Sequence, residues 1–257
     1  MNLFDQLVGE ALRSKADLTT LRPVVEKELL HHDILREMSG AGLLAPLTFI
    51  GSALAVVLTE RLQTRYGLPV SISEPVKTGG DVSTWKLTIE TRVGQRHLPA
   101  QRIHLDICAI PSHVPRPMML RNLYGIDLGT SGLILQAQSR EEILADKMIA
   151  LAFRENRIKN RDLWDIAWLV QQGVALPAEL IPVKIRDHRR EEGEFATLLQ
   201  SRSAAMKQEP QLREDFLKEM RRFLPASTVR DTLENPAWWT YLTQVIEEQV
   251  RLALAQR

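Results

Sequence analysis

The sequence predicts an α+β protein, in which a mixed or antiparallel sheet with flanking helices is followed by a helical bundle. Three observations predict it. Apolar residues recur at helical spacing from Leu3 to Met38, the period switches to two between Val70 and Ile110, and beyond Ser139 it is helical again. The change of texture places an α/β domain at residues 1–138 and a helical domain at residues 139–257. With 257 residues and 44% hydrophobic content, the chain can bury one or two cores.

Each element has its own signal. Leu3, Leu7 and Leu12, then Leu29, Leu30, Ile34 and Leu35, mark two helices, with Pro23 near the start of the second and Gly40 and Gly42 at its end. Leu47 to Ile50 fits a short buried strand, and Ala53 to Tyr66 an amphipathic helix stopped by Gly67 and Pro69. Val70 and Ile72, then Trp85, Leu87 and Ile89, then Ile103, Leu105, Ile107 and Ala109 alternate with polar neighbours. Gly79-Gly80-Asp81 and Val93-Gly94-Gln95 are turn material between these runs, so the strands are expected to be sequential antiparallel neighbours. Pro111, Pro115 and Pro117 are expected to close the sheet region. Ser139-Arg140-Glu141-Glu142 is a capping-box pattern, with the Ser139 oxygen placed for a free backbone N–H and Glu142 reaching back. Further helices are expected at 140–155, 160–171, 194–206, 211–223 and 236–255, with Trp238, Trp239 and Tyr241 packing the last of them.

Charge and cysteine content exclude several classes. The formal net charge is +1, with 33 Lys and Arg against 32 Asp and Glu, which argues against a chain whose main work is coating a duplex. Cys108 is the single cysteine, so neither an intramolecular disulfide nor a multi-cysteine metal site is available, and a reducing cytoplasmic setting is expected. The N-terminal stretch has no uninterrupted apolar run to act as a signal peptide. Residues 41–58 are broken by Gly42, Pro46, Thr48, Gly51 and Ser52, so no membrane span is expected. There is no GxGxxG opening a helix after a strand, no P-loop, no GxSxG and no HExxH.

Three groups of residues could carry chemistry. Asp106 lies mid-strand on the face shared with His104 and Cys108, where a carboxylate is solvated, paired or bound to a cation. Lys147, Leu151 and Arg154 stand at i, i+4 and i+7 of one helix, so two cations share a side; a phosphate is a natural partner, a snorkelling lysine the plain alternative. Asp162 and Asp165 stand at i, i+3 near a helix start, where the dipole favours negative charge for stability alone. In a functional version, one of them orients Arg161 or Lys147 and the other shapes a metal or nucleotide site. His31-His32 reads as a surface pair, and the cluster Arg186, His188, Arg189, Arg190, followed by Glu191, Glu192 and Glu194, as solvated charge.

Taken together these segments resemble the abortive-infection nucleotidyltransferase toxins, AbiEii and AbiGii, with the mycobacterial MenT toxins as relatives. The match is clearest in Glu142-Ile143-Leu144-Ala145-Asp146-Lys147-Met148-Ile149-Ala150-Leu151 and Arg161-Asp162-Leu163-Trp164-Asp165-Ile166, which look like the family's E-x-L-A-x-K-x-x-A-L and R-D-x-x-D motifs. Glu28 to Gly51 is similar to the lead-in to its first nucleotide-binding motif, and Ile103 to Ile107 resembles a later core strand. The resemblance runs from about residue 26 to 170. It implies a nucleotidyltransferase-like fold, with the helical domain completing the active-site cleft. It implies transfer of a nucleotide from an NTP to an RNA acceptor, for relatives the tRNA 3′ end, with Mg2+ and under control of a cognate antitoxin. Asp106, Lys147 and Asp162 would be catalytic, Asp106 as a metal carboxylate; Gly51, Ser52, Lys147, Arg154, Arg161 and Asp165 would bind the nucleotide.

One departure matters. The family's first motif is a G-G-T or G-S followed about ten residues later by D-x-D, whose aspartates are the main metal ligands. Here Phe49-Ile50-Gly51-Ser52 begins correctly, positions 60–65 read Glu-Arg-Leu-Gln-Thr-Arg, and no D-x-D occurs anywhere in the chain. Ala53 to Tyr66 followed by Gly67-Leu68-Pro69-Val70 looks like the family helix that comes after the D-x-D hairpin. Two explanations follow: a segment is missing between Gly51 and Ser52, or the chain is a degenerate member acting as an RNA- or antitoxin-binding module. On either, the chain as it stands is expected to be inactive by this mechanism.

Overall fold

The computed structural model describes residues 2–44, 51–75, 81–92, 99–155 and 157–255, with the backbone alone for 51–55. It is a mixed α+β protein with small antiparallel sheets, divided into two units: residues 1–109 with 117–136, and residues 110–116 with 137–257.

In the first unit, helix α1 (Leu3–Ser14) starts where the Asn2 side chain accepts from the Asp5 N–H at 2.8 Å, and it buries Phe4, Val8 and Ala11. After a 3-10 segment (Ala16–Leu21), helix α2 (Arg22–Gly40) opens with Pro23 in its first turn, where the missing N–H has no intrahelical partner to lose. Helix α3 (Gly51–Tyr66) ends at Gly67, whose φ of 64° favours glycine. It begins two residues before the expected Ala53, and the expected strand Leu47–Ile50 lies outside the described residues. Strands β1 (Val70–Ser73), β2 (Val82–Ile89) and β3 (Gln101–Cys108) pair in sequence order, each antiparallel to the next. The register sets Trp85 against Leu105 and Leu87 against Ile103 on one face, and Thr84 against Asp106 and Lys86 against His104 on the other. The first face packs Trp85, Leu87, Ile89 and Ile103 with Leu29, Leu30, Leu58 and Leu62 in one core, and the second stays open.

The prolines do not close the sheet region. Pro115 and Pro117 lie within β4 (Pro115–Met119), which pairs with β5 (Ile134–Gln138) in a two-stranded ribbon. The hydrogen bonds at its two ends, from Ser139 N to Val114 O at 3.1 Å and from Leu120 N to Leu133 O at 2.8 Å, use even-numbered positions of the first strand. Positions 115 and 117 point their nitrogens away from the partner, so proline removes no ladder bond there. Residues 120–133 return to α2, where Glu28, His32 and Arg36 stand at i, i+4 and i+8: Tyr124 donates to Glu28, Thr130 Oγ1 lies 3.5 Å from His32 Nδ1, and Arg36 donates to Leu128 O at 2.6 Å. His32 is therefore buried and not half of a surface pair, and burial lowers its pKa from the ordinary histidine value.

The second unit is helical apart from its share of the ribbon: α4 (Arg140–Phe153), α5 (Asn160–Gln171), α6 (Leu180–Asp187), α7 (Glu192–Gln208), α8 (Pro210–Met220), α9 (Ala226–Thr228), a π turn (Val229–Leu233) and α10 (Pro236–Leu254). Leu144, Met148, Leu163, Ile166, Leu199, Phe216, Leu242 and Ile246 share its core. Trp238 stacks on Trp164 and on Phe216, with centroids 5.3 and 5.5 Å apart, so the C-terminal aromatics do pack the last helix. Sequence reasoning missed α6, whose Pro182 reads as a breaker but falls in the first turn, where proline costs no intrahelical bond. No helix among the described residues is long and apolar enough to cross a membrane. Ser139 caps α4 by accepting from the Glu142 N–H at 3.1 Å, so Ser139→Ala is expected to cost about 1 kcal/mol in urea unfolding.

Candidate functional site

The site residues of the second unit come from two helices. The cap at Ser139 fixes where α4 begins, and from there Lys147 falls on the side facing α5 while Arg154 caps the helix end. Helix α5 presents Asp162 and Asp165 one turn apart on one face. The Lys147 ammonium donates to Asp162 Oδ1 at 2.8 Å and to Asp165 Oδ2 at 2.6 Å, and Arg154 donates to Asp162 Oδ2 at 3.1 Å. Burial alone would lower the Lys147 pKa; its hydrogen bonds to both aspartates outweigh it and push the value up. Two cations thus balance two carboxylates in a group whose hub, the Asp162 side chain, is 5% exposed while that of Arg154 is 40% exposed.

Other site residues stand elsewhere. Arg161, next in sequence to the hub, turns to Glu219 at 3.7 Å and lies over the Phe223 ring. Asp106 is in the first unit, exposed on the open face of β3, with its Oδ1 accepting from Thr84 at 2.6 Å. Gly51 and Ser52 begin α3, and the Ser52 side chain lies outside what the structure describes. Among the described residues no group of three or more His, Cys, Asp or Glu could hold a metal ion.

Sequence reasoning missed a second charged group beside the first. Glu142 does not reach back to Ser139 N, which is already bonded to Val114 O. Its fully buried carboxylate instead accepts from Ser112 Oγ at 2.7 Å, from the His113 and Val114 N–H groups at 2.8 Å each, and from Lys184 at 2.5 Å. Burial opposes ionisation, but these donors win, with the Lys184 bond the largest of them, and the Glu142 pKa falls to about 2. Lys184, 1% exposed, also pairs with Asp146 at 3.0 Å. A lysine in the middle of the apolar run Leu180–Ile185 was the available signal.

Comparison with protein families matches residues 48–244 to a model described as a nucleotidyl transferase AbiEii toxin of type IV toxin–antitoxin systems. The chain belongs to the AbiEii family. The matched span takes in Asp106, Lys147, Arg154, Asp162 and Asp165, and it begins just before Gly51. No curated protein and no solved structure matched this AbiEii chain.

Proposed function

We propose that the chain is a cytoplasmic nucleotidyltransferase toxin of a bacterial toxin–antitoxin system, built to transfer a nucleotide from an NTP to an RNA acceptor, tRNA, and countered by a cognate antitoxin protein. The observation that carries this reading is the Lys147, Arg154, Asp162 and Asp165 group within the family span. Lys147 and Arg154 are the phosphate-side cations in this reading, Asp162 and Asp165 hold Lys147 in place, and Arg161 flanks them. The partly exposed Arg154 keeps N–H groups beyond its bond to Asp162 for an anionic ligand.

The described residues do not fit the two-Mg2+ centre that this chemistry implies. Asp106 is a lone carboxylate on its strand, already engaged by Thr84, and the sequence has no D-x-D to join it. Transfer therefore requires a D-x-D segment between Gly51 and Ser52. Expression of a form carrying such a family segment is expected to arrest growth, while Lys147→Ala in that form, or the chain as it stands, does not. Growth arrest by the Lys147→Ala form would overturn the site assignment.

A second reading is favoured by the missing motif itself: a catalytically degenerate member that binds RNA or antitoxin without transfer. Sequencing the gene across Gly51-Ser52 separates the two. An intact reading frame without D-x-D selects the binding module.

A further inference from the structure

The loop that joins β4 to β5 forms a cavity for which the transferase reading has no use. Residues from 119 to 132 line a space of about 670 Å³, within the range of sites that hold small molecules, and all of them belong to the first unit. The loop is held in one shape. Tyr124 donates to Glu28, and Arg36 donates to Leu128 O at 2.6 Å, so the loop is tied to α2 at two points. Within it, the Asn122 side chain accepts from the Tyr124 N–H at 2.9 Å and donates to Ile126 O, and Asp127 Oδ1 accepts from the Gly129 N–H at 2.8 Å. Walls fixed in advance spare a ligand the cost of ordering them.

The lining combines three kinds of chemistry. Leu123 and Met119 are 66% and 55% exposed, which leaves large apolar side chains in water. Arg121 is exposed, is the single cation of the lining, and has no hydrogen bond or ion pair among the described residues. Thr130 is the opposite, at 2% exposed; its Oγ1 lies 3.5 Å from His32 Nδ1, a long contact that leaves hydroxyl hydrogen-bonding capacity over for a ligand.

Together these features select the ligand. Apolar side chains suit the flat face of a base, and a free guanidinium suits a phosphate or the same base face. A triphosphate fits poorly, because its several negative charges would meet one arginine and the carboxylate of Asp127. A phosphodiester brings a single charge. A base paired in a duplex keeps its faces stacked, whereas an unpaired one is free to enter a cavity.

We propose that this cavity seats one unpaired nucleotide of a single-stranded RNA, with the base against Leu123 and Met119 and the backbone phosphate on Arg121. The inference rests on the RNA-acceptor reading above and gives that acceptor a docking position in the first unit.

Binding does not need the missing metal carboxylates, so the chain as it stands is the test protein. Fluorescence anisotropy of a labelled single-stranded RNA of mixed sequence, lacking a terminal phosphate, is read across salt concentrations for the parent, Arg121→Gln, Arg121→Lys and Leu123→Ser, with the duplex form of the RNA as competitor. Arg121→Gln is expected to weaken binding by about ten- to a hundredfold and to lower the slope of log affinity against log salt by about 0.7, the value of one phosphate contact on a single strand. Arg121→Lys keeps the slope. Leu123→Ser is expected to weaken binding by about three- to tenfold with the slope unchanged, since it removes apolar contact and no charge. Both positions are exposed, so melting temperatures are expected to stay at the parent's value. No RNA binding by the parent, unchanged affinity in either Arg121→Gln or Leu123→Ser, or competition by duplex as strong as by the single strand overturns the proposal. A parent dimer in sedimentation that Leu123→Ser dissolves, with RNA affinity unchanged, overturns it in favour of a second copy on this surface. Arg121-dependent RNA binding beside a segment-bearing form that transfers nothing would sink the transferase reading alone. Transfer by that form with RNA affinity indifferent to Arg121 and Leu123 would sink this one alone.

Discussion

Glu142→Ala is expected to lower the melting temperature by about 10 °C, the equivalent of about 3–5 kcal/mol for a chain of this size. The substitution removes the acceptor of Ser112, of two backbone N–H groups and of Lys184, and leaves the Lys184 charge 1% exposed with Asp146 as its remaining partner. Breaking a buried pair by removing one member costs more than removing both, because the survivor keeps its desolvation penalty. The double variant Glu142→Gln with Lys184→Met is therefore expected to melt above Glu142→Ala, since the amide oxygen still accepts from one of the two backbone N–H groups and the Lys184 charge is no longer buried. The pH dependence carries the same signature. The folded-state pKa of Glu142 is depressed to about 2, below its ordinary value of 4.5. Its contribution is fully present above the unfolded value and is lost as pH falls from about 4.5 through about 2. Acid melting curves of the parent should lose stability across that window, and Glu142→Gln should lose less.

Asp162→Ala is expected to abolish detectable function in the form that carries the D-x-D segment, lowering kcat by about a hundred- to a thousandfold, the scale on which one preorganised electrostatic contact acts. Asp162 is the hub: its two oxygens hold Lys147 and Arg154, so its loss releases Arg154 and leaves Lys147 to Asp165 alone. Asp165, with a side chain 44% exposed, should matter less, and Asp165→Ala is expected to lower kcat by about tenfold or less. Steady-state kinetics of the two variants side by side check the ordering. Equal losses would mean that the hub lies elsewhere.

Much of the fold is legible in the residues themselves. Period-two alternation around Trp85-Leu87-Ile89 and Ile103-Leu105-Ile107 marks the sheet and its buried face, because one open face imposes that alternation on the strands. The spacing of Lys147 and Arg154 on α4, and of Asp162 and Asp165 on α5, marks the two halves of the cluster. Their meeting enters the sequence only as one alternative, an aspartate orienting Arg161 or Lys147, because helical spacing sets the face of a residue and not the face opposite it; in the structure Lys147 is the one held, by both aspartates. The Glu142–Lys184 pair was hidden for the same reason: 42 residues separate its members, and a capping box explained Glu142 locally. Pro115 and Pro117 misled because a proline's cost depends on whether its nitrogen faces a partner, which only the ribbon register decides. His32 misled because the segment that buries it, residues 120–133, is remote in sequence.

The account holds that the nucleotide-side cluster is intact while the metal carboxylates are missing. Incubation of a labelled NTP, Mg2+ and tRNA with two proteins, the chain as it stands and the form bearing a D-x-D segment between Gly51 and Ser52, measures that most directly. The account predicts no label on the RNA from the first and labelled RNA from the second, lost again on Lys147→Ala. Labelling by the unaltered chain at the rate of the extended form would contradict it.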